Sequence, residues 1–336
     1  MKSYYAILSG ENLSLALEEL RAILEAELPE STLDLVLEGV ALISSSPEAP
    51  RVILGRSSLV KEVGEVLGVA ERGSLEELLN SLPHVLGGEN VKVEVRRFKS
   101  YGEEIREDVV VKTLYSKGVK CSLEASTRLK LIASEGLVIA GISRGKLEFR
   151  ELLSRKPSKR PYFKPGSLTP QLSRLLVNLS RLKRGSTFLD PFCGAGGLAI
   201  EACLMGAGTV ICQDIDREAS RGSHKNLSAY GCGGVALTVR GDATRTPIAS
   251  GVVDAIATDP PYGRLTSTGG RDYSEIVLGF LGEAARVARR GSYIVYAGPH
   301  HYSPWRLALE AGLEVVGRHH MFVHGSLTRE IVVARV

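Results

Sequence analysis

The residues best suited to chemistry stand at 258–264, Thr-Asp-Pro-Pro-Tyr-Gly-Arg. They set a carboxylate (Asp259), a carbonyl held by stiff prolines (Pro260) and an aromatic ring (Tyr262) beside one another. An exocyclic amine on a nucleobase has its lone pair delocalised into the ring and is a poor nucleophile. If Asp259 and the Pro260 carbonyl accept its two N–H hydrogens, the lone pair localises toward an incoming methyl group. Tyr262 can stack on a base withdrawn from its helix or loop. Pro-Pro-Tyr-Gly is also good turn chemistry after a strand. Its place, ending a strand over 253–259 and downstream of a glycine-rich loop, favours the chemical reading.

That loop lies in Phe-Leu-Asp-Pro-Phe-Cys-Gly-Ala-Gly-Gly-Leu-Ala, residues 188–199. Gly194, Gly196 and Ala199 satisfy the G-x-G-x-x-G/A spacing after a strand and at the mouth of a helix, where a ligand can approach the backbone. A nicotinamide dinucleotide would set its pyrophosphate here, against the carboxylate of Asp190. S-adenosylmethionine (SAM) instead brings an ammonium and a sulfonium, which a carboxylate attracts. Asp214 closes the next strand, 20 residues after Gly194, where an acid can accept from ribose hydroxyls. Asp242 ends the third strand and can accept from an adenine amino group. Either acid alone would serve equally as a helix cap; three acids at successive strand ends favour SAM.

Strand–helix alternation positions these motifs. Helices are expected over 170–182, 196–206, 216–229, 272–289 and 303–312. Strands are expected over 187–190, 209–214, 236–242, 253–259 and 291–298, with 313–325 and 329–336 as a closing antiparallel pair. The fold class is therefore α/β, a Rossmann-like, doubly wound and mostly parallel sheet with its ligand at the strands' carboxyl ends. The first half reads as α+β. A strand over 3–8 precedes an amphipathic helix, two short strands turn near Glu38-Gly39, and 45–90 reads as mostly helical. From Val91 the chain alternates, with Val91, Val93 and Val95 opposite Lys92, Glu94 and Arg96. A helix over 104–117 and strands over 119–123, 129–132 and 137–143 follow. Residues 151–169, proline-punctuated and basic, read as a linker.

The charge is unevenly spread. The net is −9 over residues 1–90, +13 over 91–185 and zero over 186–336. A basic middle block points to an anionic partner, nucleic acid first, or to a solvated basic face. No apolar run reaches the roughly 18 residues of a membrane helix, and the start lacks a secretory layout, so a cytoplasmic protein is expected. The five cysteines form no CxxC pair, which suggests neither a zinc site nor a disulfide framework. Cys193 reads as a small packing residue. His300, His301, His319, His320 and His324 lack a Cys or acidic partner at ligand spacing, so no metal is expected.

Asp259-Pro260-Pro261-Tyr262 is similar to the signature of SAM-dependent methyltransferases acting on exocyclic amines of DNA or RNA bases. With the stretches at 160–170, 190–197, 213–219 and 324–329, it resembles the archaeal THUMP-domain tRNA guanine-N2 methyltransferases, which modify guanosine 10. The resemblance implies a ferredoxin-like region over 1–90, a THUMP RNA-binding domain over 91–150, a basic linker over 151–169 and a methyltransferase domain over 170–336. The family usually has a proline in the stretch matching 119–127; this chain has none. Carried over by position, Pro165, Gly166, Ser167, Leu168 and Thr169 fold over the methionine part of SAM. Asp190, Phe192, Gly194 and Gly196 line methionine and ribose, Asp214 and Ile215 hold the ribose, and Asp242 and Ala243 the adenine. Asp259, Pro260 and Tyr262 hold guanine.

The expected RNA contacts are Lys92, Arg96, Arg97, Arg155, Lys159, Arg160, His324 and Arg329, with Ser326 near the last two. The expected activity is methyl transfer to guanosine N2 of tRNA, once or twice, by a monomer. Competing readings are an adenine-N6 or cytosine-N4 methyltransferase on DNA, a silent tRNA-binding protein and, more distantly, a nicotinamide-dependent oxidoreductase.

Overall fold

A computed structural model of the chain describes residues 1–262, 272–325 and 327–336. Gly263, Arg264 and Ser326 of the motifs above lie outside the described residues. The chain forms two compact units. The first holds Met1–Leu24, Leu28–Gly55 and Leu59–Leu147; the second holds Glu148–Val336 with Glu25–Glu27 and Arg56–Ser58.

In chain order the first part comprises β1 (Lys2–Leu8), α1 (Leu13–Glu27), β2 (Thr32–Leu37), β3 (Val40–Ser45), α2 (Ala49–Arg56) and β4 (Val60–Glu71). Then come α3 (Leu75–Leu86), β5 (Val91–Arg97), α4 (Glu107–Ser116), β6 (Thr127–Ser134) and β7 (Leu137–Lys146). The strands form one sheet in the order β2-β3-β1-β4-β7-β6-β5. All its pairings are antiparallel except β5 with β6, which α4 connects. Leu82 of α3 and Leu114 of α4 are fully buried in one apolar cluster with Val91, Leu129 and Leu131 of the sheet.

Three expectations change here. Residues 45–90 are not mostly helical, because β4 takes twelve of them as a strand. Its pairing with β7 slips at Val63/Gly64 and again at Val66/Gly68, and such bulges break the period of two that marks a strand. Residues 119–123 form no strand; only an isolated bridge joins Cys121 to Val91. The border expected at residue 90 crosses a continuous sheet, because β4 pairs with β7. Acidic and basic blocks meet inside that sheet, where buried Lys130 lies 3.3 Å from Glu62 and 2.5 Å from Glu94.

The second unit continues with α5 (Phe149–Ser154), α6 (Pro170–Leu179), β8 (Thr187–Asp190), α7 (Gly197–Leu204), β9 (Thr209–Asp214), α8 (Arg217–Ala229) and β10 (Ala236–Arg240). It closes with β11 (Val253–Thr258), α9 (Tyr273–Val287), β12 (Ala288–Pro299), α10 (Pro304–Glu310), β13 (Glu314–His324) and β14 (Leu327–Arg335). The sheet order is β10-β9-β8-β11-β12-β14-β13, parallel from β10 to β12, with β14 antiparallel to both neighbours. This is the expected doubly wound, Rossmann-like sheet with its closing hairpin. Its strand order reverses beside β8, so the crevice for a ligand opens at the carboxyl ends of β8 and β11.

The expected linker is structured rather than loose. Helix α5 enters it, a 3-10 turn spans Pro157–Lys159, and Arg155 and Arg160 are buried. The cysteines also depart from expectation, since Cys193 is joined to Cys212 and Cys203 to Cys232. Adjacency of the β8–α7 loop to β9, and of α7 to the end of α8, makes these pairs; no CxxC spacing is required.

Candidate active site

A cavity of about 1270 Å3 opens at the carboxyl ends of the parallel strands. Its floor is the β8–α7 loop. Gly194 there has φ +53°, and a Cβ built on it meets only the Phe192 carbonyl, 4.0 Å away. A side chain at 194 would project into the space a ligand needs, so both the left-handed backbone and the bare Cα are used. Gly196, also left-handed at φ +82°, instead lies against Ser223 of α8 and is not on the cavity wall.

The acids at the strand ends divide into different roles. Asp214 lines the cavity, and its two oxygens accept from Gly194 N and Asp216 N at 2.8 and 2.9 Å. A carboxylate has roughly four acceptor positions, which leaves capacity for hydroxyls of a ligand. Asp242 also lines the cavity, next to buried Ala243, and accepts from the Thr244 amide and hydroxyl at 2.9 Å. Asp190 does not line it. Its side chain is fully buried behind the loop, accepting from the Thr258 hydroxyl at 2.7 Å and from Phe192 N at 3.3 Å. Burial pushes its carboxyl up to about 7, against the lowering effect of those two donors. Both bonds fall on Oδ1 and tie β8, β11 and the loop together, while the buried Oδ2 accepts from no group among the described residues.

One wall is the segment Lys164, Pro165, Gly166, Ser167 and Leu168. The backbone just before it is clipped to α8, where Asn226 accepts from Tyr162 N at 2.8 Å and donates to Tyr162 O at 2.9 Å. The same amide donates to Ala195 O of the floor loop at 2.8 Å. The Tyr162 ring lies over Gly222, where a Cβ would stand 2.2 Å from a ring carbon. No sequence motif announced this clamp; its signal is a glycine and an asparagine one helical turn apart. Thr169 lies outside the cavity and caps α6, accepting from Leu172 N at 3.3 Å.

Asp259, Pro260, Pro261 and Tyr262 also line the cavity, joined by His301, Tyr302, His324 and Arg329. The Asp259 side chain is 16 % exposed. Burial pushes its carboxyl up to about 6, offset in part by the Arg329 guanidinium, whose Nη2 stands 3.8 Å from Oδ2. The Tyr262 hydroxyl donates to Oδ1 of Asp259 and accepts from Arg329 Nε at 3.3 Å. Arg329 reaches this point because β14 pairs with β12 in the register Pro299↔Arg329, beside the end of β11.

The expected RNA-contacting residues are scattered. His324 and Arg329 line the cavity. Arg155 is withdrawn from any such contact, since it is buried with its guanidinium on both oxygens of Glu201 at 2.8 and 3.1 Å. Arg160 is buried as well, donating from Nε to Arg155 O at 3.1 Å, while Lys159 is exposed. In the first unit Arg97 donates to the carbonyls of Gly102 and Ile105, and Arg96 lies 5.0 Å over the Phe98 ring. Lys92 is half-buried. The histidines do have an acidic neighbour. His300, His320 and Glu330 bring potential ligand atoms within 4.8 Å of one another. Arg318 already donates to the same Glu330 carboxylate at 2.8 Å, so a metal would sit beside a guanidinium.

Residues 157–331 match the RMKL-like methyltransferase domain. A tRNA (guanine(10)-N2)-dimethyltransferase of Methanothermobacter thermautotrophicus is 32% identical over 343 aligned residues, 98% of each chain. The chain belongs to the tRNA (guanine(10)-N2)-dimethyltransferase family. The enzyme of that name from Methanocaldococcus jannaschii is 38% identical over 52% of this chain and 48% of its own. The crystal structure of TrmN from Thermus thermophilus shares the fold, with a TM-score of 0.54 over 99% of both chains at 21% identity. Among the described residues no helix is long and apolar enough to cross a membrane.

The family implies SAM, and the cavity fits such a group. The bare Gly194 floor, Asp214 and Asp242 on the lining, and the segment Lys164–Leu168 beside them suit a ligand with an amino acid end, a ribose and an adenine.

Proposed function

We propose that the chain transfers a methyl group from SAM to the exocyclic N2 of a guanosine in tRNA. By family kinship the base is guanosine 10, methylated once or twice. The observation that carries this reading is the cavity itself, which Asp259 and Pro260 line together with Gly194, Asp214 and Asp242. SAM supplies an electrophilic methyl group when bound. Asp214 would hold the ribose, Asp242 the adenine edge, and the wall from Lys164 to Leu168 the amino acid end. Asp259 and the Pro260 carbonyl accept the N–H hydrogens of the target amine and steer its lone pair, and the amine's proton leaves to Asp259 or to water. Tyr262 flanks the base. The protein's contribution is positioning and electrostatic preorganisation.

Capture of the tRNA falls to residues 91–150, which correspond to the THUMP domain, with the enzyme acting as a cytoplasmic monomer. Incubation of the protein with labelled SAM and an unmodified tRNA transcript, followed by nucleoside analysis, tests the assignment. N2-methylated guanosine at one position is the expected product. Label on adenine or cytosine would overturn the base, and no label despite bound SAM would overturn the substrate.

A further inference from the structure

We propose that Arg329 selects the base, by donating to O6 of guanine while Asp259 accepts from the adjoining edge; the inference rests on the guanosine reading above. The three amino-bearing bases differ next to the amine. In guanine, N2 adjoins N1–H, a donor, and beyond N1 lies O6, an acceptor. In adenine and cytosine the neighbouring ring nitrogen is an acceptor. An ionised carboxylate only accepts, and a guanidinium only donates. Asp259 is therefore matched to the N2–H and N1–H of guanine and opposed, lone pair to lone pair, to adenine N1 or cytosine N3.

The next group along guanine's edge needs a donor, and the structure supplies one. Arg329 Nη2 stands 3.8 Å from Asp259 Oδ2, and the side chain lines the same cavity while only 10% exposed. Its bond from Nε to the Tyr262 hydroxyl, at 3.3 Å, fixes the fork's orientation relative to the ring that flanks the base. The acceptor pair and the donor thus follow the order of guanine's edge. Adenine in the same pose would aim its N6 amine or its bare ring edge at a buried guanidinium. Sites built on such buried polar matches reject the unmatched analogue strongly.

The test uses 2-aminopurine, which carries the C2 amine of guanine but lacks both O6 and N1–H. Two tRNAs are assembled by ligation, with guanosine or 2-aminopurine at the position the wild-type enzyme methylates. Initial rates are measured at pH 8.5, where Asp259 is ionised. Wild type should prefer guanosine in kcat/KM by about 100-fold or more. In Arg329→Gln the guanosine value should fall by about 100-fold and the 2-aminopurine value far less, so the preference shrinks by at least about 10-fold. SAM affinity of the variant, measured by calorimetry, serves as the control for folding. Equal losses on both substrates would make Arg329 a structural support and overturn the inference alone. Methylation of adenine or cytosine by wild type would overturn the guanosine reading and this inference together.

Discussion

Asp190 and Asp259 stand at the carboxyl ends of adjacent parallel strands, and both are followed by proline. Their surroundings then diverge. Asp190 turns into the protein, where a threonine hydroxyl and a backbone amide hold it. Asp259 faces the cavity beside a tyrosine hydroxyl and a guanidinium. The two acids lie on opposite sides of one hydrogen bond, because the hydroxyl on Asp190 belongs to Thr258, the residue before Asp259. One carboxylate therefore builds the place from which the other works. Residue type and strand position are shared; what separates structure from chemistry is the direction of one side chain.

The largest effect expected from this contrast is on Asp259→Ala. Methyl transfer should fall by about 10²–10³ in kcat with SAM affinity unchanged, as measured by single-turnover assay and calorimetry. Asp190→Ala should do the reverse. Loss of a buried acceptor for two donors costs about 1–3 kcal/mol of stability in denaturant unfolding, while kcat at saturating SAM stays within about three-fold. A chemical defect in Asp190→Ala without a stability defect would erase the contrast.

A smaller change is Thr258→Val, which removes one donor from Asp190. It should cost about 1 kcal/mol and leave the pH dependence of the rate where it was. The smallest effects are those of pH. Asp259 must be ionised to accept both N–H groups, so the rate should rise through about pH 6 and then level off. For Asp190 the sign is opposite. Its folded value of about 7 lies above the ordinary 3.8, so the folded protein keeps a proton that the unfolded chain has released. Its contribution to stability is therefore full at low pH and declines as pH rises from about 4 to 7. Asp190→Asn should flatten that decline in melting curves and leave the limb of the rate near pH 6 unmoved.

Much of this was legible in residue order. The apolar strands at 209–214 and 253–258, each ending in or before an acid, placed the sheet and its ligand edge correctly. So did the glycine at 194 and the Asp-Pro-Pro-Tyr run. Where the reading failed, the missing information was not local. In β4 the pairing with β1 skips a residue between Val60 and Glu62, so the buried apolar positions Val60 and Val63 come three apart and imitate a helix. Arg155 sits in a basic, proline-rich stretch that resembles a solvent-facing linker, yet its counter-charge, Glu201, arrives 46 residues later. The disulfides likewise join residues 19 and 29 apart, which become neighbours only when strands and helices pack. The burial of Asp190 was illegible for a related reason, since alternation gives a strand's faces but not which way its last side chain turns.

The Cys193–Cys212 bond ties the floor of the cavity to the strand beneath it. A glycine-rich loop would otherwise wander when empty and lose that freedom on binding, at the expense of affinity. Here the crosslink has already removed many of the alternatives, and the loss is taken once, when the protein folds. The empty cavity should accordingly keep the outline of the filled one, with more of each ligand contact retained as affinity.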